Sequence, residues 1–256
     1  MSAHGSFVWY ELMTADAAAA ETFYRKVVGW GARDASQPGT AYRTFMVGED
    51  TVAGLMTTPP EAAAAGARPA WFGYVAVDDV DTYAQRLTQA GGTVHRAPAD
   101  IPGIGRFAMV SDPQGAVFVL FKGSIDRAPP PANPDVPGYG AWRELMAGDG
   151  AAAFDFYAGL FGWTKAATHD MGPMGVYQLF AKDGQDLGGM MTKPAEIPHP
   201  FWTYYFRVDA TAAAAERIKA AGGTVINGPH EVPGGNWIVQ GQDPQGAMFA
   251  LVSPNA

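Results

Sequence analysis

Two glutamates, Glu11 and Glu144, occupy the same frame, W-x-E-L-M-x-x-D, at two places in the chain. A carboxylate set among aromatic and apolar side chains loses hydration. Its neutral form is then favoured, and its pKa rises toward the range of a general base. Proton abstraction next to a carbonyl is the chemistry such a group would serve without a metal, although no donor nearby in sequence stands out to stabilise an enolate. The competing reading is structural: buried carboxylates are usually paired, here with Arg or backbone N–H groups. Both readings apply to Glu11 and to Glu144.

Strand alternation identifies the side chains that share a face with these glutamates. Trp9 points with Glu11, and Trp142 with Glu144. On later β-prone segments Phe72 lies with Tyr74, and Thr203 with Tyr205 and Arg207. Val119 stands between Val117 and Phe121, and Ala250 between Met248 and Val252. Such a face is aromatic and apolar with one carboxylate per copy, which is how a small organic ligand is usually held. Trp9, Phe72, Tyr74, Val119, Trp142, Thr203, Tyr205, Arg207 and Ala250 are therefore the candidate ligand-binding residues, and Glu11 and Glu144 the candidate catalytic ones.

These residues fall in an internal repeat. WYELMTADAAAAETFYRKVVGW (Trp9 to Trp30) aligns without a gap with WRELMAGDGAAAFDFYAGLFGW (Trp142 to Trp163), shifted by 133 positions. Tyr42 to Pro59 aligns with Tyr177 to Pro194. AGGTV occurs at Ala90 and again at Ala221, and DPQGA closes both copies at Asp112 and Asp243. The repeat predicts domains over 1–124 and 137–256, joined by a Pro-rich linker over 125–136. Each copy reads as strand, helix and strands, twice over. Asp16 and Asp149 suit helix N-caps, Gly29 and Gly162 suit helix ends, and a second helix runs from Val80 to Ala90. D-P-Q-G reads as a turn in which Asp starts the reversal, Pro fixes φ and Gly takes a positive φ. This grammar predicts an α+β fold.

Composition narrows the functions. The 256 residues are 48% apolar and 16% charged, which suits packed cores rather than disorder. The net charge of -8 without a basic run excludes nucleic acid and anionic membrane surfaces as partners. No segment is apolar enough to span a bilayer, and the N-terminus lacks the grammar of a secretory signal, so a cytoplasmic protein is expected. With no cysteine there is neither a disulfide nor a thiolate ligand. The five histidines form no H-x-H or H-x-x-x-H pair, and no P-loop or dinucleotide fingerprint is present.

A βαβββ unit with D-x-x-x-A-x-x-F-Y-…-G-W at its first helix and A-G-G-…-D-P-x-G-…-F in its second half resembles the vicinal oxygen chelate superfamily. That superfamily includes glyoxalase I, the extradiol dioxygenases and the bleomycin-resistance proteins, and the doubled W-x-E-L frame looks like its tandem glyoxalase-like branch. The resemblance implies two tandem domains, each a pair of βαβββ units whose mixed sheet curls into a cup with helices outside. It also implies three metal-ligand positions per cup. In this sequence they hold Trp9, Phe72 and Val119, and then Trp142, Thr203 and Ala250, none able to coordinate a divalent ion. No metal and no cofactor are therefore expected. The first reading is a metal-independent binder of a small apolar or aromatic molecule, a monomer or homodimer. The alternative is a glyoxalase-like lyase or isomerase acting on a small carbonyl or secondary metabolite with a Glu base.

Overall fold

Each quarter of the chain folds as a strand, a helix and three strands in the computed structural model, which describes residues 3–37, 39–124 and 133–256. The first quarter holds β1 (Phe7–Thr14), α1 (Ala17–Val27), β2 (Gly31–Asp34), β3 (Arg43–Val47) and β4 (Asp50–Thr57), followed by the short α2 (Pro60–Ala64). The second holds β5 (Ala70–Ala76), α3 (Val80–Gln89), β6 (Thr93–Ile101), β7 (Gly105–Ser111) and β8 (Val117–Gly123). The third holds β9 (Gly140–Ala147), α4 (Gly150–Phe161), β10 (Thr164–Asp170), β11 (Val176–Lys182) and β12 (Gln185–Thr192). The fourth holds β13 (Phe201–Arg207), α5 (Thr211–Ala220), β14 (Thr224–Glu231), β15 (Trp237–Gln242) and β16 (Met248–Ser253). The Pro-rich linker expected over 125–136 lies outside the described residues as far as 132.

The capping residues act as their types require. Asp16 accepts from the Ala19 N–H at 3.0 Å, Asp79 from Thr82 at 2.8 Å, and Asp149 from Ala151 and Ala152 at 2.9 and 3.0 Å. Two eight-stranded sheets result, in the orders β2-β3-β4-β1-β5-β8-β7-β6 and β10-β11-β12-β9-β13-β16-β15-β14. The pairs β1/β4, β5/β8, β9/β12 and β13/β16 are parallel, and the hairpin pairs around them antiparallel. The α+β class with two tandem domains of mixed sheet holds. β2 and α2 carry no periodicity that announces them. β6 runs on to Ile101 through two shifts of register, after Val94 and after Arg96, and such bulges erase the alternation by which a strand is read.

Packing divides the chain along lines other than the repeat. One compact unit gathers β5–β8 with β9–β12, the other β1–β4 with β13–β16; the divisions fall inside β1, β5, β9 and β13, after Val8, Phe72, Ala141 and Thr203. The twice-written D-P-Q-G explains how each unit is fastened. Asp112, from the first copy, accepts through Oδ1 from the Gln114 and Ala116 N–H groups, both at 2.9 Å, and closes its own turn. Its Oδ2 accepts from the Tyr157 hydroxyl of the second copy at 3.1 Å, which accepts in turn from Trp202 Nε1 at 3.1 Å. Gln114 then clamps the backbone of the α4 N-cap: Asp149 N donates to Gln114 Oε1 at 2.6 Å, and Gln114 Nε2 donates to Asp149 O at 2.9 Å. The other unit writes the same clasp with the copies exchanged. Trp71 Nε1 donates to Tyr24 (2.9 Å), Tyr24 to Asp243 Oδ2 (3.2 Å), and Gln245 grips Asp16 N and O at 2.6 and 2.8 Å.

Around each clasp lies an aromatic core. In one unit Trp30 stacks on Phe45 with centroids 4.7 Å apart and meets Phe206 and Trp71 edgewise or tilted. In the other Trp163 stacks on Phe180 at 4.4 Å and packs with Tyr157 and Trp202. Both indoles reach a backbone carbonyl, Trp30 that of Gly138 at 2.7 Å and Trp163 that of Gly5 at 2.8 Å. Burying an aromatic side chain of this size contributes about 1.5–3 kcal/mol, and the satisfied N–H removes the penalty it would otherwise carry.

Candidate functional site

Trp9 and Glu11 point away from the core face of β1, where Tyr10 packs on Tyr204 and Phe206. A third residue joins them. Tyr42 leads into β3 from a loop in which Ser36 Oγ accepts from the Tyr42 N–H at 3.1 Å and Tyr42 O accepts from Ala35 at 3.0 Å. Its phenol reaches across β4 to β1. Trp9 Nε1 donates to the Tyr42 hydroxyl at 3.1 Å, and that hydroxyl donates to Glu11 Oε2 at 2.7 Å.

The crossing is possible because the residue beneath it is Gly54, which pairs in register with Glu11. A Cβ at position 54 would stand 1.9 Å from the Tyr42 hydroxyl oxygen and 3.0 Å from Trp9 Nε1. Burial, and after it the negative charge of Glu11, pushes the Tyr42 phenol well above its ordinary pKa. The phenol is therefore protonated throughout the neutral range and is a permanent donor to the carboxylate, a charge-assisted bond.

The second copy repeats the set. Trp142 Nε1 donates to the Tyr177 hydroxyl at 2.9 Å. Gly189 pairs with Glu144, and a Cβ there would lie 2.2–2.5 Å from the Tyr177 ring and hydroxyl. Burial first and Glu144's charge second raise the Tyr177 phenol, with a hydrogen bond to Glu144 as the smallest of its influences. Glu11 and Glu144 are both buried, at 5% and 8% exposure. Each thus has the paired status expected of a buried carboxylate, with Tyr42 a partner of Glu11 and Tyr177 a partner of Glu144.

The other expected residues fall into smaller groups. Tyr74 pairs with Val119 across β5 and β8, and its ring meets Phe121 edge-on at 5.8 Å. Phe72 is half-buried on the same strand, and Thr203 is buried on β13. Tyr205 pairs with Ala250 and accepts a hydrogen bond from Gln240 Nε2 at 2.6 Å. Arg207 is engaged by other groups: Pro134 O at 2.8 Å, Asn236 Oδ1 at 2.9 Å and Asp135 Oδ1 at 3.2 Å. Its guanidinium anchors the chain ahead of β9 to β13.

Tyr42, Tyr177 and Gln240 escaped the sequence reading. Tyr42 and Tyr177 head matched phrases of the repeat, and Gly54 and Gly189 recur within them. That recurrence was the available signal; the reach of tyrosine over glycine is a matter of register.

The positions at which the resemblance implies metal ligands do not fit an ion. Trp9 and Trp142 offer only N–H donors, already spent on tyrosine. Phe72, Val119 and Ala250 have no lone pair, and Thr203 offers a neutral hydroxyl. Among the described residues no group of three His, Cys, Asp or Glu could hold a metal elsewhere. Two of the five histidines have other partners: His4 meets the Tyr83 hydroxyl at 3.2 Å, and His95 the Ser111 hydroxyl at 2.9 Å. No helix among the described residues is long and apolar enough to cross a membrane.

Comparison with known proteins follows the same lines. The family described as Glyoxalase/Bleomycin resistance protein/Dioxygenase superfamily matches residues 6–120 and 141–251. A Mycobacterium tuberculosis protein named "Putative glyoxylase CFP32" is 33% identical over 248 residues, 96% of this chain and 94% of its own length. The "Anthracycline biosynthesis protein DnrV" of Streptomyces peucetius is 34% identical over 269 residues, 98% of this chain and 94% of its own. The Mn(II)-bound glyoxalase from Novosphingobium aromaticivorans shares the fold, with a TM-score of 0.66 at 16% identity over 99% of this chain and 83% of that one.

Proposed function

We propose that this chain, which belongs to the Glyoxalase/Bleomycin resistance protein/Dioxygenase superfamily, binds a small apolar or aromatic molecule in each domain without a metal ion, as a cytoplasmic monomer or homodimer. The carrying observation is the Trp–Tyr–Glu set, present in both copies where the resemblance would put an ion's first ligand. Each indole is hydrogen-bonded at its edge and so fixed in orientation, and a rigid aromatic plane is an efficient stacking surface for a ring. The glutamate in this reading holds the tyrosine that holds the tryptophan. The relative named for anthracycline biosynthesis supports a small organic ligand.

Isothermal titration calorimetry of the full chain with 2-ethylnaphthalene, after exhaustive treatment with EDTA, tests the proposal. Saturable binding that chelation leaves unchanged is the expected result. A stoichiometric divalent metal in the untreated protein, or binding abolished by EDTA, would overturn it.

The relative named a glyoxylase favours the second reading, a lyase or isomerase with Glu11 or Glu144 as base. The two readings separate on Glu11→Gln and Glu144→Gln. Loss of a general base costs on the order of 10²–10⁴ in rate, so turnover of the methylglyoxal–glutathione adduct would collapse in an enzyme. Ring binding would survive in a binder.

A further inference from the structure

The repeat builds one helix pair twice, α3 with α4 in one compact unit and α5 with α1 in the other. The pairs differ at aligned positions. Arg86 of α3 corresponds to Arg217 of α5, and Tyr83 to Ala214; Gly159 of α4 corresponds to Lys26 of α1, and Asp155 to Thr22. Arg217 Nε donates to Val27 O, at the end of α1, at 3.0 Å. Arg86 instead lies over the Tyr83 ring, 4.8 Å from its centroid. A tyrosine one turn back on the same helix holds the guanidinium, where the alanine of α5 leaves it to reach the neighbouring helix.

Gly159 is the second difference. It lies inside α4, where glycine costs helix stability relative to alanine. A Cβ at this position would meet nothing within 4 Å, so packing does not require the glycine. The missing side chain leaves space: a groove of about 560 Å³ between α3 and α4, lined in its apolar part by Pro113, Ala152, Phe156 and Leu160. Phe156 is half-buried, its ring meeting Tyr157 edge-on at 5.1 Å. Arg86 and Gln89 line the groove from α3, and Asp155 from α4. Among the described residues neither Arg86 nor Asp155 has an ion pair.

We infer that this groove binds an aromatic α-amino acid, with its carboxylate on Arg86, its ammonium on Asp155 and its ring on Phe156. The two charges select the class. A plain anion that gains Arg86 is opposed by Asp155, and a plain cation meets the reverse, whereas a molecule carrying both charges satisfies both. A guanidinium stacked on a ring keeps its plane and offers its fork of N–H donors at the edge, which suits a carboxylate. Gln89, one turn after Arg86, adds an amide to the same groove, and the apolar lining accepts the ring. The α1/α5 pair has no counterpart of this site: Lys26 replaces the glycine, Thr22 the aspartate, and Arg217 is engaged by Val27. One site per chain is therefore expected, apart from the Trp–Tyr–Glu sets and independent of the function proposed for them.

Ligand-observed NMR titration of the full chain with L-phenylalanine tests the inference. Saturable binding at one site is the expected result. Arg86→Gln and Asp155→Asn, both at exposed positions, should each weaken it about fivefold, the effect of one exposed ion pair. Phenylpropionate, which lacks the ammonium, and phenylethylamine, which lacks the carboxylate, should bind the wild type more weakly by about the same factor. Gly159→Lys, which sets the residue of α1 into the groove, should abolish saturation and leave the thermal unfolding midpoint no lower. Absence of saturation in the wild type overturns the inference, as does saturation that Gly159→Lys leaves unchanged. Equal binding of the three probes overturns the assignment to a molecule carrying both charges. None of these outcomes bears on whether the Trp–Tyr–Glu sets bind a ring.

Discussion

The strands β1–β4 and β9–β12 carry the same Trp–Tyr–Glu set over the same glycine, whereas β5–β8 and β13–β16 carry different faces around the same tyrosine. The difference teaches what a duplicated fold can change one residue at a time. In the triad each side chain is spoken for by the next: without Gly54 the tyrosine cannot cross, without Tyr42 the glutamate and the indole both lose a partner. The clasp is bound in the same way, Trp71 to Tyr24 to Asp243, and it too is identical in both units. Met109 on β7 and Gln240 on β15 stand at equivalent positions, opposite Val119 and Ala250, and there the copies differ.

If mutual dependence is what preserved these sets, breaking a kept set should cost alike in both copies and more than altering a drifted position. The clasp gives the largest effect. Asp112→Ala or Asp243→Ala strands two backbone N–H groups and a tyrosine hydroxyl in a buried place, and each should lower stability by about 3 kcal/mol in urea denaturation. A loss below 1 kcal/mol in one copy but not the other would break the equivalence of the units. Next comes the glycine beneath each tyrosine. Gly54→Ala and Gly189→Ala force the phenol off its carboxylate by overpacking, at about 2 kcal/mol each, whereas Met109→Leu should stay under about 1 kcal/mol. Tyr42→Phe and Tyr177→Phe remove a hydroxyl but little volume. Each should cost about 1–1.5 kcal/mol and shift tryptophan emission as the indole loses its fixed partner.

The smallest effect is one of pH. Burial, more than any other influence, pushes the Asp112 and Asp243 carboxyls above the ordinary 3.8, against the pull of their backbone and tyrosine donors. A carboxyl raised in the folded state binds its proton more tightly there than in the unfolded chain. The stability it adds is complete below the unfolded pKa and is lost as pH rises through the folded one. Asp112→Asn and Asp243→Asn cannot ionise. Their stability relative to wild type should therefore improve as pH climbs above about 4 and be level below it. A relative stability that instead falls with rising pH would contradict the burial of these groups.

Much of this was legible before any coordinates. Asp16 and Asp149 announce their helices because a short acceptor ahead of an Ala-rich run has few other uses, and Asp112-Pro-Gln-Gly reads as a turn by its own chemistry, its glycine at φ 98°. What the turn fastens was not legible. Gln114 and Gln245 act on the other copy, and a repeat alignment says which positions correspond, not which ones touch. The first strand's face could be read because alternation sets Trp9 beside Glu11. The third member could not, since Tyr42 comes from a loop and lands on Glu11 only through the β3–β4–β1 register. Gln240 was invisible for a related reason: it meets Asn227 and Tyr205 on two other strands.

Each core draws half of its strands from either repeat. A gene that lost one repeat would therefore encode two orphaned half-cores in place of one finished domain, each with an aspartate and no tyrosine, or a tyrosine and no aspartate, to close upon. Such a lineage is held to its doubled length: shortening is open only to a descendant whose remaining half can find its complement in a sister molecule.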